Sequence, residues 1–109
     1  MHLTAIKTSE ATELAPAISD LVVARAVARA AAGDADACFD LGVAYSTGEN
    51  GMSCDLVEAH KWFNLAAARG HEDAAHCRAD IAEDMTAREI AEAQRRAREV
   101  LAAERRRAA

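Results

Sequence analysis

Residues 37–48 read ACFDLGVAYSTG, residues 49–54 read ENGMSC, and residues 55–70 read DLVEAHKWFNLAAARG. Small and apolar residues recur at helical spacing in the first and the last of these segments. Each of the two ends in glycine, which commonly ends a helix because it adopts a left-handed backbone conformation without strain. The stretch therefore predicts two helices that are joined by a short loop and folded against each other.

Gly42 lies in the middle of the first of these predicted helices. Glycine at such a position costs about 1 kcal/mol relative to alanine. Its presence indicates that a neighbouring helix crosses there without room for a Cβ atom. We expect Ala59, Ala66 and Ala67 to face Gly42, with Trp62 and Tyr45 filling the space that the alanines leave open.

The composition favours helices throughout. The chain has 109 residues with one proline and five glycines, and alanine is its commonest residue. Alanine has the highest helix propensity, and a β-rich fold needs many more turns. The fold class is therefore predicted to be all-α, and the length suits a single domain over residues 1–109.

Capping residues divide the chain into about five helices. Residues 1–15 are weakly patterned and are expected to form a short helix or a strap over the core, and Pro16 suits a first helical turn. The following apolar positions show helical spacing: Leu21, Val22, Ala24, Ala28 and Ala31. The predicted helices are 18–32 ended by Gly33, 35–47 capped by Asp34, 56–69 capped by Asp55, 72–83, and 87–107 capped by Thr86. Asp55 with Glu58, and Thr86 with Glu89, have capping-box spacing.

The sequence repeats at an offset of 37 residues. Residues 33–37, GDADA, correspond to residues 70–74, GHEDA, and the alanine pair at 30–31 corresponds to the pair at 67–68. Two helices per unit and a period in the thirties are typical of an α-solenoid. The chain is expected to hold one full repeat over about 34–70, partial repeats over about 16–33 and 71–85, and a C-terminal helix.

Residues 34 to about 75 resemble the Sel1-like repeats, a branch of the tetratricopeptide-like solenoids, and the chain is similar to short bacterial members of that family. The matching positions are Ala37, Phe39, Leu41, Gly42, Tyr45, Gly48, Asp55, Ala59, Trp62, Ala66, Ala67 and Gly70. The next unit has Arg78-Ala79 where the family has Leu-Gly, as a terminal cap would. The resemblance implies a right-handed α-α superhelix of about five helices with a long C-terminal helix. It also implies a role in protein–protein interaction.

The charge is unevenly distributed along the chain. Residues 1–85 contain 6 basic and 14 acidic residues, whereas residues 86–109 contain 7 basic and 4 acidic ones. An acidic body disfavours nucleic acid as its partner. The arginines of the last segment alternate with glutamates, which is typical of a solvated helix face.

The side of the second helix that is left after the core is assigned predicts a partner-binding surface. In solenoids of the resembled type, the first helix of each repeat lines a concave surface. The candidate residues are Asp36, Asp40, Val43 and Thr47, with Asp73 and Asp80 at related positions on the fourth helix. An acidic concave surface suits a basic or amphipathic peptide of another protein. A solvated helix face without a partner explains the same residues equally well.

The last helix supports an alternative function. One stripe of this helix is apolar and consists of Ile90, Ala93, Ala97, Val100 and Leu101. The preceding helix pair is expected to cover the stripe. Otherwise the helix is expected to drive homodimerisation or to lie on an acidic partner or a membrane surface, and the protein would then be an oligomeric structural or regulatory piece.

Residue types that carry catalysis are present, but their spacing does not predict an active site. His60, His71, His76, Cys38 and Cys77 contain no metal-ligand spacing, and no metal or other cofactor is expected. Cys54 lies near His60 in sequence but has no orienting third group. The protein is therefore expected not to be an enzyme.

Three widely spaced cysteines do not predict a disulfide framework, so Cys38 and Cys77 are expected in or near the core and Cys54 at the surface. No signal-peptide pattern and no membrane-spanning apolar stretch is recognised in the sequence. The expected location is cytoplasmic.

Overall fold

The computed structural model describes residues 20–108, and every regular element in that range is helical. The elements are α1 (described over residues 20–31), α2 (Ala35–Thr47), a 3-10 turn (Glu49–Gly51), α3 (Leu56–Ala68), α4 (Ala74–Ala82) and α5 (Ala87–Ala108). The all-α prediction is confirmed for this range. The expectations for Pro16 and for a strap over residues 1–15 lie outside the described residues. None of the described helices is both long and apolar enough to cross a lipid bilayer.

The helix ends follow the predicted caps closely. The Asp34 carboxylate accepts a hydrogen bond from the Ala37 N–H at 3.1 Å, and the Asp55 carboxylate accepts one from the Glu58 N–H at the same distance. Thr86 and Glu89 form a complete capping box, because each side chain accepts the other residue's N–H. These contacts fix the first turns of α2, α3 and α5.

The predicted capping box at Asp55 is only half formed. The Asp55 N–H donates to the Tyr45 carbonyl at 2.9 Å instead of to the Glu58 side chain. The Glu58 carboxylate pairs with Lys61 and Arg96. The loop after α2 therefore closes directly onto the start of α3, and Glu58 is used to hold α5.

The fourth helix is shorter than predicted, since it begins at Ala74 instead of residue 72. Asp73 has a helical backbone and makes no side-chain capping bond. At the offset of 37 residues, the counterpart of the capping residue Asp34 is His71. The His71 ring accepts the Asp73 N–H at 3.2 Å, which holds the intervening residues in a turn and delays the helix.

The centre of the fold is α3, which packs against α2, α4 and α5. It runs antiparallel to α2, because Asp55 contacts Tyr45 at one end and Arg69 contacts Cys38 at the other. It runs parallel to α5, because Glu58 pairs with Arg96 and Arg69 pairs with Glu104. The remaining helices therefore surround a helix of thirteen residues.

Gly42 confirms the predicted close approach, but the residue that faces it is Phe63. A Cβ atom at Gly42 would lie 2.5 Å from two ring carbons of Phe63, well inside van der Waals contact. Ala59 and Ala66 are fully buried, while Trp62 and Tyr45 are half-buried. The prediction placed alanines of α3 opposite Gly42 and Trp62 beside them, whereas the side chain nearest to Gly42 is that of Phe63.

The largest fully buried side chains belong to Phe63, Leu41, Leu65 and Cys38. Around them lie buried alanines from every helix. Ala97 belongs to the same cluster, and Val100 and Leu101 pack against it. The core of this chain therefore covers the apolar stripe of α5 at these three residues. The expectation was that the preceding helices would cover this stripe.

The side of α1 that turns inward does not coincide with the apolar positions that indicated this helix in the sequence. Ala30 is buried and Val23 and Ala26 are half-buried, whereas Leu21 and Val22 are 58% and 47% exposed. Nine of the twelve described positions of this helix are apolar, so the sequence spacing does not determine which side turns inward.

The turns after α1 and α3 support the sequence repeat. The Asp34 N–H donates to the Arg29 carbonyl, and the His71 N–H donates to the Ala66 carbonyl, an offset of 37 in both partners. Gly33 and Gly70, at the same offset, have φ values of 97° and 94°. Both helices therefore end in the same Schellman arrangement.

We expect Gly42→Ala to lower the free energy of unfolding by about 1–2 kcal/mol, because the clash with the buried Phe63 ring outweighs the gain in helix propensity. Chemical denaturation measures the change. In a Phe63→Leu background, the same Gly42→Ala substitution should be neutral or stabilising. An equal loss of stability in both backgrounds would show that the crossing is not limited by this ring.

Candidate functional site

A groove of about 550 Å3 lies between α1, α2 and the 3-10 turn. Its apolar lining comes from three parts of the chain: Val22, Val23 and Ala26 of α1, Phe39, Val43 and Ala44 of α2, and Met52 after the turn. Charged residues also line it, namely Arg25, Arg29, Asp40 and Glu49. The groove thus offers an apolar surface beside groups of both signs.

The four predicted residues of α2 lie along one side of that helix, and the middle two of them line the groove. Asp36, Asp40, Val43 and Thr47 are spaced by three or four residues, which places them along one side of a helix. Asp40 and Val43 line the groove. Asp36 is exposed, with its carboxylate 3.6 Å from the His71 ring, and the Thr47 hydroxyl donates to the Val43 carbonyl.

The predicted residues of α4 do not line this groove. Asp73 is exposed immediately before α4, and Asp80 is exposed on that helix. The delayed start of α4 also removes the expected equivalence between Asp73 and Asp36, since Asp36 lies within the first turn of α2. Of the six predicted residues, the groove brings together Asp40 and Val43.

The charges at the groove differ in whether they already have partners. Arg29 donates to the Asp34 carboxylate at 2.9 Å. The Ala37 N–H, together with Arg29, lowers the pKa of Asp34. In the part of the chain that the structure describes, Asp40, Glu49 and Arg25 form no ion pair. Their charges are therefore available to an incoming segment.

Arg69 helps to hold α1 in position as a wall of the groove. Its guanidinium donates to the Ala30 carbonyl at 2.8 Å, to the Cys38 sulfur at 2.8 Å, and to the Glu104 carboxylate. One side chain thus connects the ends of α1, α2 and α5 to the end of α3. Burial raises the pKa of the Cys38 thiol, so this sulfur stays protonated and neutral beside the arginine.

Phe39 connects the groove to the turn before α4. Its ring stacks on His71 at 4.1 Å between centroids and meets Phe63 at 5.5 Å in a tilted arrangement. Phe39 is half-buried rather than enclosed, because part of it lines the groove. The groove floor is thereby fixed to the same aromatic group that packs at Gly42.

The cysteine and histidine residues do not converge on one point. No group of three His, Cys, Asp or Glu residues that could hold a metal ion occurs between residues 20 and 108. The exposed Cys54 thiol donates to the Ser46 carbonyl, whereas His60 is buried and bonds to Asn64. The sulfurs of Cys38, Cys54 and Cys77 are all free.

The basic residues of α5 are partly neutralised on the helix itself. Arg95 and Arg96 both donate to Glu92, which lowers the pKa of that carboxyl to about 2. Arg105, Arg106 and Arg107 are exposed. The expectation of a solvated face with interspersed charges describes the middle of this helix well.

The α1 wall of the groove was not recognised from the sequence. Val22 was assigned to a helix but not to a site, and Met52 was assigned to a loop. The signals that point to them are the apolar residues of α1 and the glycines on either side of the turn after α2, and many helical cores share such features.

No family model, curated protein or solved structure matches the chain.

We expect Arg69→Leu to loosen α1 and the end of α5 without unfolding α2 and α3, because it removes three polar contacts to other helices. Hydrogen exchange should become faster at residues 26–31 and 101–106. Arg95→Leu is the matched control, since its ion pairs lie within exposed α5. Unchanged exchange in α1 of the Arg69 variant would contradict this role.

Proposed function

We propose that the protein is a Sel1-like helical-repeat module with a right-handed superhelical arrangement. The antiparallel pair α2–α3 is the full repeat, and the matching turns at Gly33 and Gly70 support the 37-residue period. In this proposal α1 is the second helix of a preceding partial repeat, and α4 is the first helix of a terminal one. The long α5 closes the end by packing against α3.

Its proposed function is non-enzymatic binding of another protein, as an adaptor or scaffold. The observation that carries this proposal is the apolar groove between α1 and α2, which contains Asp40 and Val43 from the predicted surface. Val22 is 47% exposed at this groove. An apolar groove with a few charged groups at its edge suits an amphipathic segment that places apolar side chains inward.

The charges favour a partner segment with basic residues next to α2. Asp36 and Asp40 are the charged residues of that helix, and Glu49 follows it. A lysine or arginine of the partner would meet these carboxylates, while a carboxylate would suit Arg25 across the groove. The alternative, self-association through the apolar stripe of α5, is less favoured because Ala93 and Ala97 are already buried in the monomer.

A synthetic amphipathic peptide tests the groove directly. One peptide carries leucines on one face and lysines on the other, and a second carries glutamates in place of the lysines. We expect the lysine peptide to shift backbone NMR signals of residues 22–26, 39–44 and 52. Its affinity should exceed that of the glutamate peptide.

Two charge-reversal variants distinguish binding in the groove from non-specific attraction of the lysine peptide to an acidic protein. Asp40→Arg lies in the groove and should weaken the lysine peptide about tenfold or more. Asp80→Arg introduces the same charge on the exposed surface of α4 and should have little effect. Equal losses in the two variants, or signal shifts confined to α4 and α5, would show that the groove is not the binding site.

A further inference from the structure

A second surface, distinct from the groove, lies between α3, α4 and α5. It is a cleft of about 570 Å3 that shares no lining residue with the groove. Its polar lining consists of Asn64, Arg78, Gln94 and Arg98, and its other lining residues are alanines and Leu101. Among residues 20–108 no carboxylate lines this cleft, although the chain as a whole has a net charge of −5.

Arg78 differs from the comparable arginines of the fold. Three arginines of the described range are half-buried, and Arg69 and Arg96 each pair with glutamate. Arg78 instead donates to the neutral Asn64 side chain and forms no ion pair within residues 20–108. Arg98, at the same cleft, also forms none in that range. A partly desolvated cation without a counter-ion is costly, so the cleft is electrostatically incomplete.

The Asn64 amide cannot supply the missing charge, and its orientation is fixed. Arginine only donates hydrogen bonds, so the amide oxygen must face Arg78 and the amide nitrogen faces His60. The Asn64 nitrogen lies 3.3 Å from Nδ1 of His60, which therefore accepts and is unprotonated. The polar chain from α4 to the buried imidazole is satisfied internally, while the charge of Arg78 is not.

We propose that this cleft binds a small oxyanion, a carboxylate or a phosphate group, between the guanidinium groups of Arg78 and Arg98. Guanidinium groups form charge-assisted and often bidentate hydrogen bonds with both kinds of anion. Gln94 adds an amide group at the wall, and Ala67, Ala97 and Leu101 suit a short apolar portion of the ligand. The proposal does not depend on the function proposed for the groove.

His60 provides a local reporter for such an anion. Burial, and then the positive charge of Arg78, lower the pKa of His60. Arg78 is the charged group that acts on this imidazole among the described residues, and Arg98 of α5 lines the adjoining cleft. An anion at Arg78 would offset its charge and raise the pKa of His60. By linkage, the anion would bind more tightly as the pH falls and His60 takes up a proton.

The experiment follows the histidine ring signals by NMR from about pH 8 to about pH 5, where imidazoles titrate. The titration is run in sodium chloride, then in sodium phosphate and in sodium citrate at matched ionic strength. We expect either oxyanion, or both, to raise the pKa of His60 by about half a unit or more. The ring signals of the exposed His76 are the control for non-specific effects of the salts. A response to citrate alone identifies a carboxylate site, and one to phosphate alone identifies a phosphate site.

Three variants locate the effect. Arg98→Gln changes an exposed side chain, and the anion concentration that gives half of the His60 pKa shift should rise about tenfold. Arg78→Gln should abolish the anion-dependent shift. Arg88→Gln, an exposed arginine at the start of α5 outside the cleft, is the matched control. If Arg78→Gln fails to fold, Arg98→Gln decides alone. Equal responses of His60 and His76, or an unchanged response in Arg98→Gln, would overturn the proposal.

Discussion

The contact between Gly42 and the Phe63 ring sets the distance between α2 and α3, and the rest of the fold depends on that distance. Because the ring occupies the position of a Cβ atom, α3 lies close enough for Ala59 and Ala66 to be fully buried. The other face of α3 is then available to α4 and α5. The same ring meets Phe39, which extends the contact into the groove between α1 and α2. Packing at one glycine therefore positions both the core and the candidate binding surface.

The sequence predicted the features that depend on neighbouring residues. Asp34 and the Thr86-Glu89 pair cap their helices as expected, because capping is decided within one helical turn. The sequence was a poorer guide to contacts that depend on how a helix is rotated about its axis. Trp62 and Phe63 are adjacent aromatics, and which ring lies at Gly42 is decided by how α3 rotates against α2. The inward face of α1 was not predicted for the same reason, since nine of the twelve described positions of that helix are apolar.

The two candidate surfaces differ in the charge that they present. The groove combines exposed apolar residues with carboxylates, such as that of Asp40, that form no ion pair among the described residues, and we propose that it binds a segment of another protein. The cleft on the other side of α3 presents Arg78 and Arg98, and none of its described lining residues is a carboxylate. None of its residues was predicted to form a site, because their meeting depends on the packing of three helices. The distribution of charge along the sequence therefore predicted the charge of neither the groove nor the cleft.

The contacts of Arg69 bear on whether the repeat over residues 34–70 could fold independently of the flanking helices. Its polar partners lie 31 to 39 residues away along the chain, in helices before and after α3. An excised segment over 34–70 would lose Ala30 and Glu104, so the Arg69 guanidinium would keep only the Cys38 sulfur of its three partners. Contacts of such sequence separation also form late, since the chain between them must first be closed. The repeat is thus a unit of sequence, whereas the unit of folding includes the flanking helices.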